Sequence, residues 1–420
     1  MRPAVKVAVG LVAAVAIIFT AAALYLALVF DANRYKPEVT AAARGATGRE
    51  LAIDGDLALG LFPQPHVRVG AVRLANPPGF DGAMVEWESA RAIVALLPLL
   101  RRHVQIDELA VERLNIQLLK NRKGQDNWSD LTSKQEGSKG DQQFRVSIHG
   151  IRLMAATVSY RDESKKNQVS LSEIEVRTGR LGGADPATVQ LDAKLTSSKP
   201  ALAGAVALTA NAQIDPASRT YAARGVRFAF TGDDGIDATL NGDVAVDFNA
   251  RSLNAEIAAT LLDLSLDARL ATEAIDSQRR FRGKLTLAEF NPRSLLARLD
   301  RAAPQTRDKS ALTRAHVSFD VAGDDGGFTV EPIAARLDSS VVSGRITLAN
   351  YSAPRIRFHL NVDQLDLDRY RPPSPKPPSM QDNAISKLST DVLRGLGITV
   401  AGDVKIGKLV LAGDRSDITV

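Results

Sequence analysis

Apolar and polar residues alternate along most of this chain, and a two-residue period admits one regular structure, a β-strand with two unlike faces. Val189, Leu191, Ala193 and Leu195 alternate with polar residues. So do Val317, Phe319 and Val321, and then Ile356, Phe358, Leu360 and Val362. Val206, Leu208, Ala210, Ala212 and Ile214 continue the pattern with smaller side chains. Turn residues separate the runs: Gly182-Gly183, Asp215-Pro216, Gly232-Asp-Asp-Gly235 and Gly323-Asp-Asp-Gly326. The expectation is a mainly β fold with a few helices, its short strands joined by hairpins into an antiparallel sheet with one apolar face. Two arrangements satisfy such a face. It is the core of a sandwich sealed by a second sheet, or it is an open, curved sheet whose apolar side is free to hold acyl chains. About fifteen strands at ~4.8 Å spacing would line a groove of roughly 70 Å.

The pattern also repeats. Val104, Ile106, Leu109, Val111, Ile116 and Leu118 return 42 residues later as Val146, Ile148, Ile151, Leu153, Val158 and Tyr160. They return once more as Val404, Ile406, Leu409, Leu411 and Ile418, with Ser416 breaking one position. Each copy reads as a strand, a tight turn and a second strand, and stacked copies would build a sheet growing along one axis.

Helices punctuate the strands. Arg34 to Thr47 reads as a short helix ahead of Gly48. Asn291 is an N-cap with Pro292 at the first helical position, and Leu295, Leu296 and Leu299 form a stripe that predicts a helix near 292–302. A further helix is expected over about 381–393, with Ile385, Leu388, Val392 and Leu393 on one side. The polar stretch 133–143 reads as a mobile linker and the proline-rich 371–379 as a stiff extended spacer. The expected organisation is therefore a tail and anchor over 1–31, a helix and β region over 32–132, and the linker. A β-rich body over 144–370 follows, then the spacer, then a helix and the start of another β unit over 380–420. Val420 falls inside a strand-like pattern, so either more chain or a shortened relative of longer proteins is expected.

Val7 to Phe30 carries no charge over 24 residues. As a helix rising about 1.5 Å per residue it spans roughly 36 Å, enough for a hydrocarbon core of about 30 Å. It is too long for the apolar part of a cleaved signal peptide, and Leu28-Val29-Phe30-Asp31 is a poor cleavage sequence. A single-pass anchor is expected, with the short tail bearing Arg2 and Lys6 inside and the bulk exported; Arg34 and Lys36 nearly balance that charge rule. Lys and Arg number 53 against 48 Asp and Glu, interspersed without a basic stripe among aromatics, so nucleic acid is not an expected partner. The chain has no cysteine, which excludes disulfides, thiolate metal sites and cysteine nucleophiles.

No constellation for catalysis stands out. His66, His103, His149, His316 and His359 are dispersed, without HxxxH or HExxH spacing. The two Gly-Asp-Asp-Gly tetrads lack the distal carboxylate of a calcium loop and read as hairpin turns. Gly179-Arg-Leu-Gly-Gly183 lacks the Lys-Ser/Thr of a phosphate loop, and no Gly-x-Ser-x-Gly elbow occurs. Asn127-Trp-Ser129 fits a glycosylation acceptor, although Trp128 reads better as a packing anchor beside a turn. No enzyme activity, cofactor or metal is expected.

Several stretches resemble the AsmA family of bacterial envelope proteins. They are Leu61-Phe-Pro-Gln-Pro-His66 with 69–80 behind it, Leu96-Leu-Pro-Leu-Leu100, Gly124-Gln-Asp-Asn-Trp128, Phe290-Asn-Pro-Arg-Ser-Leu-Leu296, Arg336-Leu-Asp-Ser-Ser340 and Leu365-Asp-Leu-Asp-Arg-Tyr370. The ordered set covers nearly the whole chain, although family members usually continue past this C-terminus. The resemblance implies an inner-membrane anchor, a periplasmic body and a role in outer-membrane biogenesis or lipid homeostasis. It also implies an elongated, curved β groove of the kind regarded in larger relatives as a track for phospholipid. On that reading phospholipid is the ligand, and the candidate groove residues are Val189, Leu191, Leu195, Val317, Phe319, Ile356, Phe358 and Leu360. The alternative is a scaffold that assists assembly of outer-membrane proteins by pairing a strand edge with a client, without carrying lipid.

Overall fold

Alternation becomes strand wherever it was expected, and strands account for 62% of the structure. The structure is a computed structural model that describes residues 31–99, 103–133, 145–182, 185–275, 280–299, 301–373, 399–411 and 414–419. The expected anchor, the 381–393 helix, and the linkers from 134 to 143 and from 374 to 379 lie outside the described residues. No helix among those described is long and apolar enough to cross a membrane. The chain divides into two units, Met1–Thr209 with Gly232–Asp234, and Ala210–Thr231 with Gly235–Val420.

The first unit opens on a single 3-10 turn, Ala32–Tyr35, and helix α1, Lys36–Thr47. Pro37 sits in the helix's first turn, where no amide is needed, and Gly48 ends it at φ 73°, a left-handed conformation that glycine takes without strain. The strands that follow are β1 (Leu51–Ile53), β2 (Leu57–Gly60), β3 (His66–Val69), β4 (Val72–Ala75), β5 (Ala83–Trp87) and β6 (Ser89–Ala95). After the short helix α2 (Leu96–Leu99) come β7 (His103–Glu112) and β8 (Asn115–Lys120). Helix α3 (Ser129–Ser133) precedes β9 (Arg145–Ile148), β10 (Ile151–Asp162), β11 (Asn167–Thr178) and β12 (Ala187–Ser198). The strand β13 (Ala201–Asp215) contributes residues to both units.

The repeat is real, and its geometry departs from the expected hairpins. β9 and β10 lie parallel to β7 and β8 in a register that is the repeat itself: Val104 faces Val146, Leu109 faces Ile151, Ile116 faces Val158 and Leu118 faces Tyr160. The backbone repeats with the side chains, since Arg113 (φ 49°) and Ala155 (φ 51°) take the left-handed conformation 42 residues apart. No tight turn reverses the chain inside either copy. β7 is flanked by β6 on one side and by β9 and β10 on the other, so β8 has no free edge of β7 to fold back on. The chain instead kinks at Arg113 and continues along the same partner. Within the third copy a reversal does occur, where β24 (Thr399–Leu411) pairs antiparallel with β25 (Asp414–Thr419). The expectation of a purely antiparallel sheet is thus corrected to a mixed one. Parallel neighbours need a crossover, and the segment carrying α3 supplies it.

The second unit is a meander: β14 (Thr220–Gly232), β15 (Asp237–Asp247), β16 (Ser252–Leu261), β17 (Leu264–Glu273) and β18 (Arg280–Phe290) pair antiparallel in sequence order. Helix α4 (Pro292–Arg298) interrupts it. The meander resumes with β19 (Ala315–Asp324), β20 (Gly327–Leu337), β21 (Ser340–Ala349) and β22 (Arg355–Val362). The unit then repeats the first unit's device. β22 and the two-residue β23 (Leu365–Asp366) lie parallel to β24, with Leu360 facing Val404 and Leu365 facing Leu409, and helix α5 (Leu367–Tyr370) begins the crossover.

Candidate functional site

The register of the second unit aligns apolar residues into rows that cross the strands. One row runs Ile257, Ala268, Leu285, Phe319, Ile333, Gly344, Leu360 and Val404. Beside it run Leu266, Leu287, Val317, Ala335, Val342 and Val362. On its other side stand Val321, Val330, Ile346 and Phe358, then Phe328, Leu348 and Ile356. Five of the expected groove residues, Val317, Phe319, Ile356, Phe358 and Leu360, therefore share one face. The opposite face is charged, with cross-strand pairs such as Arg345 with Glu331 and Arg269 with Glu256.

The described residues do not seal this apolar face. Val317, Phe319, Ile356, Phe358 and Leu360 are each half-buried, flanked by their lateral neighbours. Among the described residues of the second unit only Ala210, Phe230, Ala311, Ala315 and Leu409 are fully buried apolar side chains. A sandwich core would hold the central rows in the fully buried class, because a facing sheet packs about 10 Å away and interdigitates. The Phe281 ring lies against backbone instead. A Cβ built on Gly323 would lie 2.5 Å from the Gly327 carbonyl oxygen and 2.7 Å from the Phe281 ring and from Phe328 Cβ, so glycine is what lets the Phe281 ring and the facing strand approach there.

The first unit carries the same feature on its own strands. Val189, Leu191 and Leu195 are half-buried on β12, facing Thr178, Val176 and Leu171. From Leu195 a row continues through Leu171, Val158, Ile116, Val85 and Leu74 to Leu51. From Leu191 another continues through Val176, Leu153, Val111 and Ala90 to Val69. Both rows end in the wall of a cavity of about 370 Å³ between α1 and the sheet, lined by Tyr35, Val39, Leu51, Leu57, Val69 and Trp87 among other apolar groups. Sequence reasoning missed this cavity. Its only advance signal is the pair Tyr35 and Val39, four residues apart at the entry to a helix whose other residues are small or polar apart from Pro37.

Four of the stretches behind the family resemblance, 124–128, 290–296, 336–340 and 365–370, organise backbone. Asn127, fully buried, accepts the Leu119 amide on Oδ1 (2.8 Å) and donates Nδ2 to the Gln117 carbonyl (2.8 Å) and to Asn76 Oδ1 (2.7 Å). No glycan fits such a residue in the folded protein, so the glycosylation pattern carries no function there. The buried Arg49 guanidinium donates to the Asn127 carbonyl (2.7 Å) and to Asp130 (2.5 Å), tying the end of α1 to the start of α3. Trp128 packs against Tyr160 with ring centroids 6.1 Å apart.

In the second unit three motif stretches converge on one loop. Asn291 caps α4 by accepting the Arg293 and Ser294 amides, and Arg293 donates to the Ala311 carbonyl (2.5 Å) and to Thr306 Oγ1. Asp338 accepts the amides of Leu312, Thr313 and Arg314 and the Tyr370 hydroxyl (2.9 Å). Arg369 pairs with Asp308 at 2.7 Å. Burial, and then the neighbouring Asp338, push the Tyr370 phenol up to about 12. Burial works against the charge on Asp338, but the loop amides and the phenol outweigh it and hold its carboxyl below the usual range.

The histidines stay apart. His66 contacts the Gln64 carbonyl, His103 the Ser147 hydroxyl, His149 Asp107, and His359 Asp403. Among the described residues no group of three or more His, Asp or Glu side chains is placed to hold a metal ion. The Gly323-Asp-Asp-Gly326 tetrad is a hairpin turn in which Asp324 accepts the Gly326 amide, and the other tetrad forms the turn after β14.

Fold and site together define a mainly β protein with a one-sided, unsealed apolar surface. The chain belongs to the AsmA family, whose model matches residues 1–390. Comparison with curated proteins finds no match, and neither does comparison with solved structures.

Proposed function

We propose that this protein is a non-enzymatic component of outer-membrane biogenesis, anchored in the inner membrane by Val7–Phe30 with its body in the periplasm, and that its apolar β face binds phospholipid and forms a groove along which acyl chains lie. The observation that carries this reading is the incomplete burial of the central rows, Phe319, Phe358 and Leu360 among them, which leaves hydrocarbon surface without a partner among the described residues. A patch of that kind needs an occupant. An acyl chain meets the need without polar contacts, since each methylene buried contributes about 0.8 kcal/mol. A smooth surface of Val, Leu, Ile, Ala and Phe also holds no fixed polar partner that would stop a chain from sliding. The charged opposite face keeps the other side in water. Family membership supports the envelope setting.

Photo-crosslinking amino acids at Leu191, Phe319 and Phe358 in the full chain, followed by mass spectrometry of the adducts, test the reading. Phospholipid adducts at these positions, and none at exposed Arg357 on the opposite face, are the expected result. Capture of protein alone at all three positions overturns lipid binding and favours a scaffold that assists outer-membrane protein assembly.

A further inference from the structure

We propose that two loops of the first unit, Leu61–Pro65 and the start of α2, dip into the surface of the bilayer that holds the anchor and so set the orientation of the body against it. The inference rests on the tethered reading above. Phe62 is 89% exposed, Leu97 79% and Leu96 51%, the most exposed cluster of large apolar side chains among the described residues. They belong to different loops but to one place. β3 and β6 pair with His66 opposite Ile93, and the Val94 amide donates to the Pro65 carbonyl at 2.9 Å. The loop entering β3 and the helix leaving β6 therefore emerge from the same end of that strand pair. Nothing inside the fold needs three large apolar side chains at such a tip, and water disfavours them there.

The occupant follows from where the anchor ends. The uncharged run stops at Phe30, and the residues just after it are fixed to the hairpin that carries Phe62. Asn33 Oδ1 accepts the Leu57 amide at 3.0 Å, and Lys36 lies 3.9 Å from Asp56. From Leu57 to Phe62 is five residues, at most about 17 Å of extended chain. Phe30 lies three residues before Asn33, so a membrane entered at Phe30 is at most about 30 Å of chain and contact from the exposed tip. Shallow insertion of Phe and Leu side chains beside a spanning helix is a second, weaker anchor of the interfacial kind. Two points of attachment fix a tilt that one flexible point does not. They would also hold the apolar cavity between α1 and the sheet beside the lipid.

The native chain lacks cysteine, which makes single-site labelling clean. Full-length Phe62→Cys and Leu97→Cys, each carrying an environment-sensitive fluorophore, are reconstituted into phospholipid nanodiscs. Lys194→Cys on β12, 61% exposed, serves as the water-facing control. The expected result is blue-shifted emission at 62 and 97 and severalfold stronger quenching by lipids spin-labelled near the headgroup than at 194. Emission and quenching at 62 and 97 equal to the control overturn the proposal, and so does a chain that fails to enter the discs. Groove crosslinking is read separately at Phe319 and Phe358. Loss of lipid adducts there with strong quenching at 62 and 97 would refute the groove and leave this contact standing.

Discussion

Replacing Phe319 by Glu separates an open apolar face from a sealed core by its magnitude. Phe319 sits between Leu285 and Ile333 in the central row and is half-buried. Fully burying such a side chain is worth about 1.5–3 kcal/mol, so losing its lateral contacts costs roughly 1–2 kcal/mol. On an open face the carboxylate stays in water and little more is lost. In a sealed core the same carboxylate would be an unpaired buried charge, adding about 3–5 kcal/mol. One kcal/mol shifts the melting temperature of a unit of this size by about 2–4 °C. The open face therefore predicts a fall of about 2–8 °C, and a sealed core one of about 8–28 °C. For bound lipid, a charge beneath two or three methylenes removes about 2 kcal/mol of contact, close to thirtyfold in retention. Circular dichroism melts of the full chain in nanodiscs, paired with mass spectrometry of adducts from a crosslinker at Leu360, read both quantities. A collapse in melting temperature refutes the open face. A small shift with undiminished lipid capture refutes its use for lipid.

Asn127→Ala strands the Leu119 amide and the Gln117 carbonyl in a buried site and should cost about 2–4 kcal/mol, read as a lower melting temperature; a loss below ~1 kcal/mol would show that water replaces the side chain. Tyr370→Phe removes a hydrogen bond to a carboxylate and should cost about 1–2 kcal/mol at neutral pH. Because the Tyr370 pKa is raised from 10 to about 12, its contribution is complete below pH 10 and is lost as pH rises toward 12, so that alkaline loss should shrink in the variant; the Asp338 contribution, from a lowered pKa, is present above about 3.8 and fades as pH falls below it in both proteins. Identical alkaline limbs in melts of the two proteins would refute the assignment. Ala155→Gly relieves a left-handed residue at φ 51° and should be neutral or stabilise by up to about 1 kcal/mol, whereas Gly225→Ala, at φ 57°, should destabilise by about 1 kcal/mol, as paired denaturation curves will show.

Strand faces were legible in the sequence because alternation encodes burial directly, and so the rows through Phe319 and Phe358 stand where the pattern put them. The 42-residue repeat was legible too, down to the residues that face each other. Its handedness of pairing was not. Val104 to Leu118 spells the same alternation whether β8 folds back on β7 or runs on beside β10, and the decision lies in a kink at Arg113 that no glycine or proline marks. The cap at Asn291 was readable because capping is local chemistry. The bond from Asp338 to Tyr370 joins residues 32 positions apart through a loop, and no local pattern announces it. The cavity under α1 was hidden for a related reason, since its walls come from a helix and several short strands brought together by register alone.

Four of the stretches that mark the family, at 124–128, 290–296, 336–340 and 365–370, are distinct from what would line a lipid groove. Asn127, Asn291, Arg293, Asp338, Arg369 and Tyr370 all hold loops and crossovers through hydrogen bonds with particular donors and acceptors, and each such bond admits few residue types. The apolar rows impose a weaker demand: any Val, Leu, Ile or Phe of tolerable size serves, provided the alternation holds. A groove for acyl chains should carry no motif at all, because its ligand offers no polar group to recognise along its length. The two units accordingly share a construction, with a kinked or broken strand crossing over to a parallel partner, Leu109 beside Ile151 in one and Leu365 beside Leu409 in the other. They do not share side chains on the apolar face. Extending such a surface requires only more strands in register with the polar hubs that lock each crossover. Swapping Phe319 or Phe358 for Leu should therefore leave lipid adducts at Leu360 nearly unchanged in mass spectrometry, while Asp338→Ala, which touches no lipid-facing atom, should lose them by unlocking the 306–314 loop. The opposite ranking would show that specific side chains, rather than a continuous hydrocarbon surface, do the binding.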